Sequence, residues 1–161
     1  MAKYEGGFEC DKEAKVILKD LIENEWFSSC TVYWNEDVEM DEYALIDLVF
    51  TAITKKDNVR QYAIELKERK GYSHDDYQDW MIEPHKLNKL KKYTDYGFKA
   101  LYFNLFNDGY WYLWDYDTIN EKHTEVIKPI PLHTQGEDET PVMQIRYLIN
   151  SKYCVISGRT Y

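Results

Sequence analysis

The sequence predicts an α/β fold with a mixed central sheet flanked by helices, on three observations. Apolar residues recur at helical spacing over residues 11–24. Two short apolar runs, residues 41–52 and 59–67, flank the turn-like Thr54-Lys55-Lys56-Asp57-Asn58 and read as a hairpin. A second helical stretch, residues 76–93, then leads into two aromatic runs joined across Asn107-Asp108-Gly109.

Taken in order, Val16, Ile17 and Leu21, with Ala14 beside them, form the apolar stripe of the first helix, and Asp11 is placed to cap it. Residues 29–34 read as a strand and the acidic stretch after it as a turn. Residues 71–76 form a loop, with Ser73 or Asp75 capping the next element. Over residues 76–93, Trp80, Leu87 and Leu90 keep helical spacing, and Pro84 must break or restart the helix. Residues 98–106 and 110–115 are aromatic strands. From Lys122 onward Pro129, Pro131, Gly136 and Pro141 predict an irregular C-terminal extension. Within it, residues 144–149 and 153–156 read as short strands or a helix. No repeat or linker divides the chain, so one domain over residues 1–161 is expected, with a core of about residues 11–120 and an extension over 121–161.

Composition narrows the function classes. The 15 Tyr and 5 Trp argue against disorder. No apolar run approaches the ~20 residues of a membrane span, and the N-terminus lacks an apolar signal core. Cys10, Cys30 and Cys154 are odd in number and scattered, which fits reduced thiols in a cytoplasmic protein with no membrane partner. A net charge of −9 argues against a nucleic-acid coat, yet leaves room for an enzyme acting on nucleic acid through its local field. Positive charge does concentrate locally, at Lys86, Lys89, Lys91, Lys92 and Lys99, while acids crowd residues 36–42 and 137–139.

One constellation implies a reaction. On a strand, side chains alternate, so Glu65 and Lys67 share one face while Ile64 and Leu66 take the other. A neighbouring strand would set Asp47 beside them. A Glu-x-Lys pair alone is most often a solvated strand edge. Asp47, however, is flanked by Leu45, Ile46, Leu48, Val49 and Phe50, where a carboxylate is costly to bury without a partner or a metal. Two carboxylates and a lysine at the edge of an apolar sheet suggest a hard-cation site with a catalytic ammonium.

With its order of helix, three strands, helix and two strands, this pattern resembles the PD-(D/E)xK nuclease superfamily of restriction-endonuclease-like and Holliday-junction-resolvase-like phosphodiesterases, over about two-thirds of the chain. Asp47 stands as the first acidic residue, and Glu65 and Lys67 as the (D/E)xK element eighteen positions later. Ile46 replaces the proline often found before the first acid. The resemblance implies a restriction-endonuclease-like core and a Mg²⁺- or Mn²⁺-dependent nuclease acting on DNA. It also implies a first-helix glutamate, for which Glu13 is best placed and Glu23 or Glu25 are rivals. It further implies a Lys or Gln on the helix after the motif, with Lys86 first and Lys89 second. A homodimer is in keeping, since one active site cuts one strand.

Phosphodiester cleavage needs a nucleophilic water, charge neutralisation at phosphorus and a stabilised leaving oxygen. Asp47, Glu65 and the Leu66 carbonyl would hold the ion. Lys67, about 6–7 Å along the strand from Glu65, would lie against the attacking water. Lys86 would orient a phosphate, and Glu13 a bound water or a second ion. Lys86, Lys89 and Lys92 would form the nucleic-acid-binding face. Bland readings stand beside these: Glu13 as a helix-dipole residue, and the lysines as a solvated face. Asp115 and Asp117 share a strand face but more readily end a strand. His74, His85, His123 and His133 show no ligand spacing. Tyr102, Phe103, Phe106, Tyr110, Trp111, Tyr112 and Trp114 suit base stacking, but at period two most belong to a core. Two other functions remain open: a nuclease-like fold kept as a nucleic-acid- or protein-binding module, and an aromatic-lined binding protein without catalysis.

Overall fold

The computed structural model describes residues 5–35, 46–131 and 141–160. Helix α1 (Glu5–Leu21) runs into a π-helical turn, Ile22–Trp26, and then strand β1 (Thr31–Trp34). Strands β2 (Leu48–Ile53) and β3 (Val59–Arg69) form the expected antiparallel hairpin. After β4 (Asp79–Ile82) and helix α2 (Pro84–Asp95) come β5 (Lys99–Phe106) and β6 (Tyr110–Asp115). Helix α3 (Tyr116–Lys122), strands β7 (Thr124–Pro131), β8 (Pro141–Asn150) and β9 (Ile156–Arg159) complete the chain. The first five positions of the expected strand over 41–52 lie outside the described residues, as do the acidic stretches 36–42 and 137–139.

Six strands make a mixed sheet in the order β1-β2-β3-β5-β6-β9, in which only β3 and β5 run parallel. The reason is the connection: β4 and α2 carry the chain back across one sheet face, so β5 starts where β3 started. Chain centrality follows burial. Ala63 to Leu66 of β3 are buried on both faces, as is nearly all of β5, and these buried stretches hold one polar residue each, Glu65 and Asn104, apart from Tyr102. Helix α1 covers one face, packing Ala14, Leu18, Leu21 and Ile22 onto Phe50, Ile64, Leu66 and Phe103. Helices α2 and α3 and a smaller sheet, ordered β4-β8-β7, cover the other with Trp80, Ile82, Leu87, Leu90, Ile119 and Ile149.

Four expectations need correction. Helix α1 begins at Glu5 rather than at Asp11, and the buried set of α1 and the π turn is Ala14, Leu18, Leu21 and Ile22, while Val16 faces solvent. Residues 14, 18, 21 and 22 lie on one side of a 3.6-residue helix, and Val16 lies about 200° from Ala14. Residues 79–82 are a strand, not the first turn of a helix. Trp80 and Ile82 are buried at period two, and Pro84 holds Glu83 extended at φ −71 and ψ 145 before opening α2 at its first position. Asp115 ends β6 as expected but also caps α3, accepting from the Thr118 N–H at 2.7 Å, so Asp117 falls inside a helix. The proline-rich tail forms a regular hairpin: β7 is an edge strand, where Pro129 and Pro131 need supply no outer ladder N–H.

The aromatic hairpin turns as its sequence predicts, with Gly109 at φ 81 donating to the Phe106 carbonyl at 3.0 Å. Tyr102, Phe103, Phe106, Trp111 and Trp114 are buried, in keeping with the core reading. Cys30 and Cys154 are free; Cys10 lies outside the described side chains. Among the described residues no helix is long and apolar enough to cross a membrane.

Candidate active site

The antiparallel ladder of β2 and β3 closes at Leu48 opposite Ile64, so the next step of that register sets Asp47 opposite Glu65. Asp47 does not continue the ladder with its backbone. Its Oδ2 accepts the Leu66 N–H at 2.7 Å instead, which pins the carboxylate to the β2-side edge of β3. A strand residue's N–H and C=O open on the same edge, so the Leu66 carbonyl faces that side too.

Glu65 lies on the opposite sheet face from Ile64 and Leu66, beneath α2. It is only 3% exposed, one of two buried polar or charged residues among those described. Helix α2 supplies its counter-charges: Lys86 Nζ is 3.4 Å and Lys89 Nζ 3.9 Å from Glu65 Oε1. Glu65 Oε2 is buried with no hydrogen-bond partner. Burial first, and then the charge of Asp47, push the Glu65 carboxyl above its ordinary value of 4.5, and Lys86 and Lys89 offset this only in part. Burial alone would lower the Lys86 ammonium, but Tyr102, Glu65, Glu83 and Asp47 outweigh it and its pKa is raised.

Lys67 is half-buried on the same strand face as Glu65. Its charge, with those of Lys86, His85 and Arg69, overcomes burial at Glu83 and holds that carboxyl below 4.5. Lys92 is exposed in the last turn of α2. Lys91 and Lys99 pair elsewhere, with Asp95 at 2.7 Å and Asp115 at 3.4 Å. Glu13 is exposed on α1, the helix that covers the other face of the sheet, while its rivals Glu23 and Glu25 are exposed in the π turn. The structure therefore brings Asp47, Glu65, Leu66, Lys86 and Lys89 together, with Lys67 on the same strand face as Glu65.

Several groups in this place escaped the sequence reading. Glu83 lies 3.8 Å from Lys86. Arg69 continues the Glu65–Lys67 face: its Nε donates to Asn104 Oδ1 at 2.7 Å, its Nη2 to Tyr102 Oη at 3.3 Å and to the Met81 carbonyl. Period two over 65, 67 and 69, and over 102 and 104, carries that stripe in the sequence. Arg146 on β8 bears on His85, whose pKa is lowered first by burial and then by Lys86, Lys89 and Arg146, against the opposing pull of Glu83. Nothing local in the sequence marks Arg146, which lies sixty-one positions after His85. Away from Glu65, at the β5–β6 turn, His74, whose spacing in the sequence showed no ligand pattern, joins Asp75 and Asp108, with ligand atoms all within 4.8 Å of one another; its Nδ1 meets Asp108 Oδ2 at 2.6 Å and its ring stacks on Tyr110.

The donor set around Glu65 fits a hard divalent cation: two carboxylates, a backbone carbonyl on the same edge and one buried carboxylate oxygen lacking any partner.

The antiparallel hairpin carrying the acid and Glu-x-Lys, joined through α2 to a parallel third strand, forms the centre of a mixed α/β sheet with the site on its α2 side. No family model matches the chain, and no curated protein does. Among solved structures the chain is similar to Hjc, a Holliday junction resolvase from the archaeal hyperthermophile Archaeoglobus fulgidus, at 11% identity. That likeness spans 90% of this chain and 94% of that one, with a TM-score of 0.47.

Proposed function

We propose that the chain is a metal-dependent nuclease that hydrolyses phosphodiester bonds in DNA, with Asp47, Glu65 and Lys67 at its centre. The observation that carries this reading is the buried Glu65 carboxylate. One oxygen faces two lysines, the other has no partner, and a second carboxylate stands beside it. A fold held only for stability could replace Glu65 together with its lysines by apolar side chains of similar volume at little cost.

Asp47, Glu65 and the Leu66 carbonyl would hold Mg²⁺ or Mn²⁺. When bound, that ion supplies charge neutralisation at the phosphate and acidifies water. Lys67, on the Glu65 face, holds the attacking water by its Nζ and favours the hydroxide form. Lys86 contacts a non-bridging phosphate oxygen as a point charge. Lys89 and Lys92, with Arg146, receive the flanking backbone. Glu13, on α1, would orient a bound water or help to hold a second ion. The family resemblance favours a dimer, in which two sites address two strands, and sedimentation of the purified protein measures that directly.

Purified protein is expected to nick or cleave DNA with Mg²⁺ or Mn²⁺ and to lose that activity in EDTA. Ca²⁺ should support it poorly, because its looser coordination suits binding. Glu65→Ala and Lys67→Ala should each lower turnover by at least about a hundredfold while the circular-dichroism spectrum stays unchanged. Full activity in either variant would sink the mechanism. One feature favours the binding-module reading, namely that Lys86 and Lys89 already serve as counter-ions to Glu65. Binding to duplex or branched DNA without cleavage in any divalent ion would select it.

A further inference from the structure

We propose that Glu83 is a positioning residue: it receives the Lys86 ammonium when a divalent cation takes Glu65, so that one lysine is shared between two carboxylates. The proposal rests on the cation site described above, and on nothing else in the nuclease reading.

Lys86 Nζ lies between the two acids, 3.4 Å from Glu65 Oε1 and 3.8 Å from Glu83 Oε2. The three side chains differ in depth: Glu65 is 4% exposed, Lys86 16% and Glu83 26%. Glu83 thus lies on the outward side of Lys86 and Glu65 on the inward side. Glu83 also occupies the N-cap position of α2, and its carboxylate, on a longer side chain than the Ser, Thr, Asp or Asn that ordinarily cap, makes no bond to a helix N–H. The carboxylate is turned toward Lys86 instead.

A doubly charged ion on Glu65 repels both ammoniums that now lie within 4 Å of that carboxylate. Lys89 is the more exposed of the two and can turn outward. Lys86 is enclosed, so it needs an acceptor within the site, and Glu83 stands three residues before it on the same helical turn. A short swing of the Lys86 side chain then exchanges one carboxylate for the other without exposing an unpaired charge. The same movement leaves the ammonium at the outer side of the site, where a phosphate oxygen would arrive. Glu83 therefore acts on the cation through Lys86 and is not itself a ligand.

Two substitutions separate that role from a structural one. Mn²⁺ binding to the full chain, without nucleic acid, is measured by calorimetry for wild type, Glu83→Gln, Lys86→Met and the double variant. Glu83→Gln should weaken binding about fivefold, the scale of one partly shielded ion pair. Lys86→Met should bind at least as tightly as wild type, and the double variant should match Lys86→Met within about twofold, because no ammonium remains to be relocated. An unchanged affinity in Glu83→Gln overturns the proposal, as does a fivefold loss that persists in the Lys86→Met background. Glu65→Ala separates the two levels. If wild type fails to bind Mn²⁺, or binds it equally well without Glu65, the cation site falls and this proposal with it. If binding depends on Glu65 and ignores Glu83, only the proposal falls.

Discussion

A carboxylate 3% exposed, with one oxygen bare of partners, makes Glu65 the most consequential single residue of the chain. Its pKa is raised by burial and by Asp47, which fixes the sign of its effect on stability. A carboxyl more readily protonated in the fold than in the unfolded chain contributes stability that is fully present below 4.5, and that is lost as pH rises through the raised folded value. Above 4.5 the carboxyl therefore becomes a burden on the fold. Glu65→Gln should raise the cation-free melting temperature at pH 7, with a gain that shrinks as pH falls toward 4.5. A lower melting temperature at pH 7 would mean that the lysines hold the charge more firmly than this reading allows. The cation reverses the sign: it binds the ionised form, so wild-type Mn²⁺ affinity should climb with pH through the same interval. At a hundred times its dissociation constant, an ion that binds only the fold adds about 2.7 kcal/mol of stability, which Glu65→Gln should abolish. Melting curves with and without Mn²⁺ at several pH values test both statements. Glu83 runs the other way. Held below 4.5 by its cationic neighbours, it contributes stability present above that value and lost as pH falls through its depressed pKa.

At the scale of elements, the position of the site depends on one junction. Pro84 keeps Glu83 extended and starts α2 at once, which points Lys86 and Lys89 back over β3. A continuous helix over residues 76–93 would instead have put Pro84 in a helix interior and removed β4 from β8. The far edge of the sheet depends on a small residue. Strand β9 closes on β6 with Gly158 opposite Trp111, and a Cβ there would meet the indole at 2.6 and 2.9 Å. Because Trp111 is buried against Phe103 and Trp26, the ring cannot yield. Gly158→Ala should cost about 1–3 kcal/mol by overpacking, read as a lower denaturant midpoint at unchanged slope. An unchanged midpoint would show that β9 is held too loosely to matter.

Across the whole molecule the net charge of −9 hides an uneven field. His85, Lys86, Lys89 and Arg146 converge at the start of α2, and Lys92 extends that face along the helix. On the proposed function, a polyanion is drawn to this one place on an acidic protein. Replacing Lys89, Lys92 and Arg146 together with Ala should weaken DNA binding and flatten the log-affinity against log-salt slope by about 0.9 per lost phosphate contact. Lys86→Ala should reduce turnover more than binding. Affinities measured over a salt series in Ca²⁺ decide this, and unchanged slopes would reduce α2 to a solvated face. Asp47, Glu65, Lys67 and the lysine helix were legible in the sequence because each lies in a short segment whose period or turn chemistry fixes its local geometry. The hairpin register is equally local: eighteen positions and one turn suffice to set Asp47 against β3. What the tertiary structure alone decided are the pairings between distant segments. It turned residues 79–82 into a strand by supplying β8 as a partner, and made a hairpin of the proline-rich tail by giving β7 an edge. It also set Arg146 by His85, and His74 by Asp108. Local period and propensity carry no information about such contacts, which are chosen by whichever apolar faces the whole chain leaves to be covered.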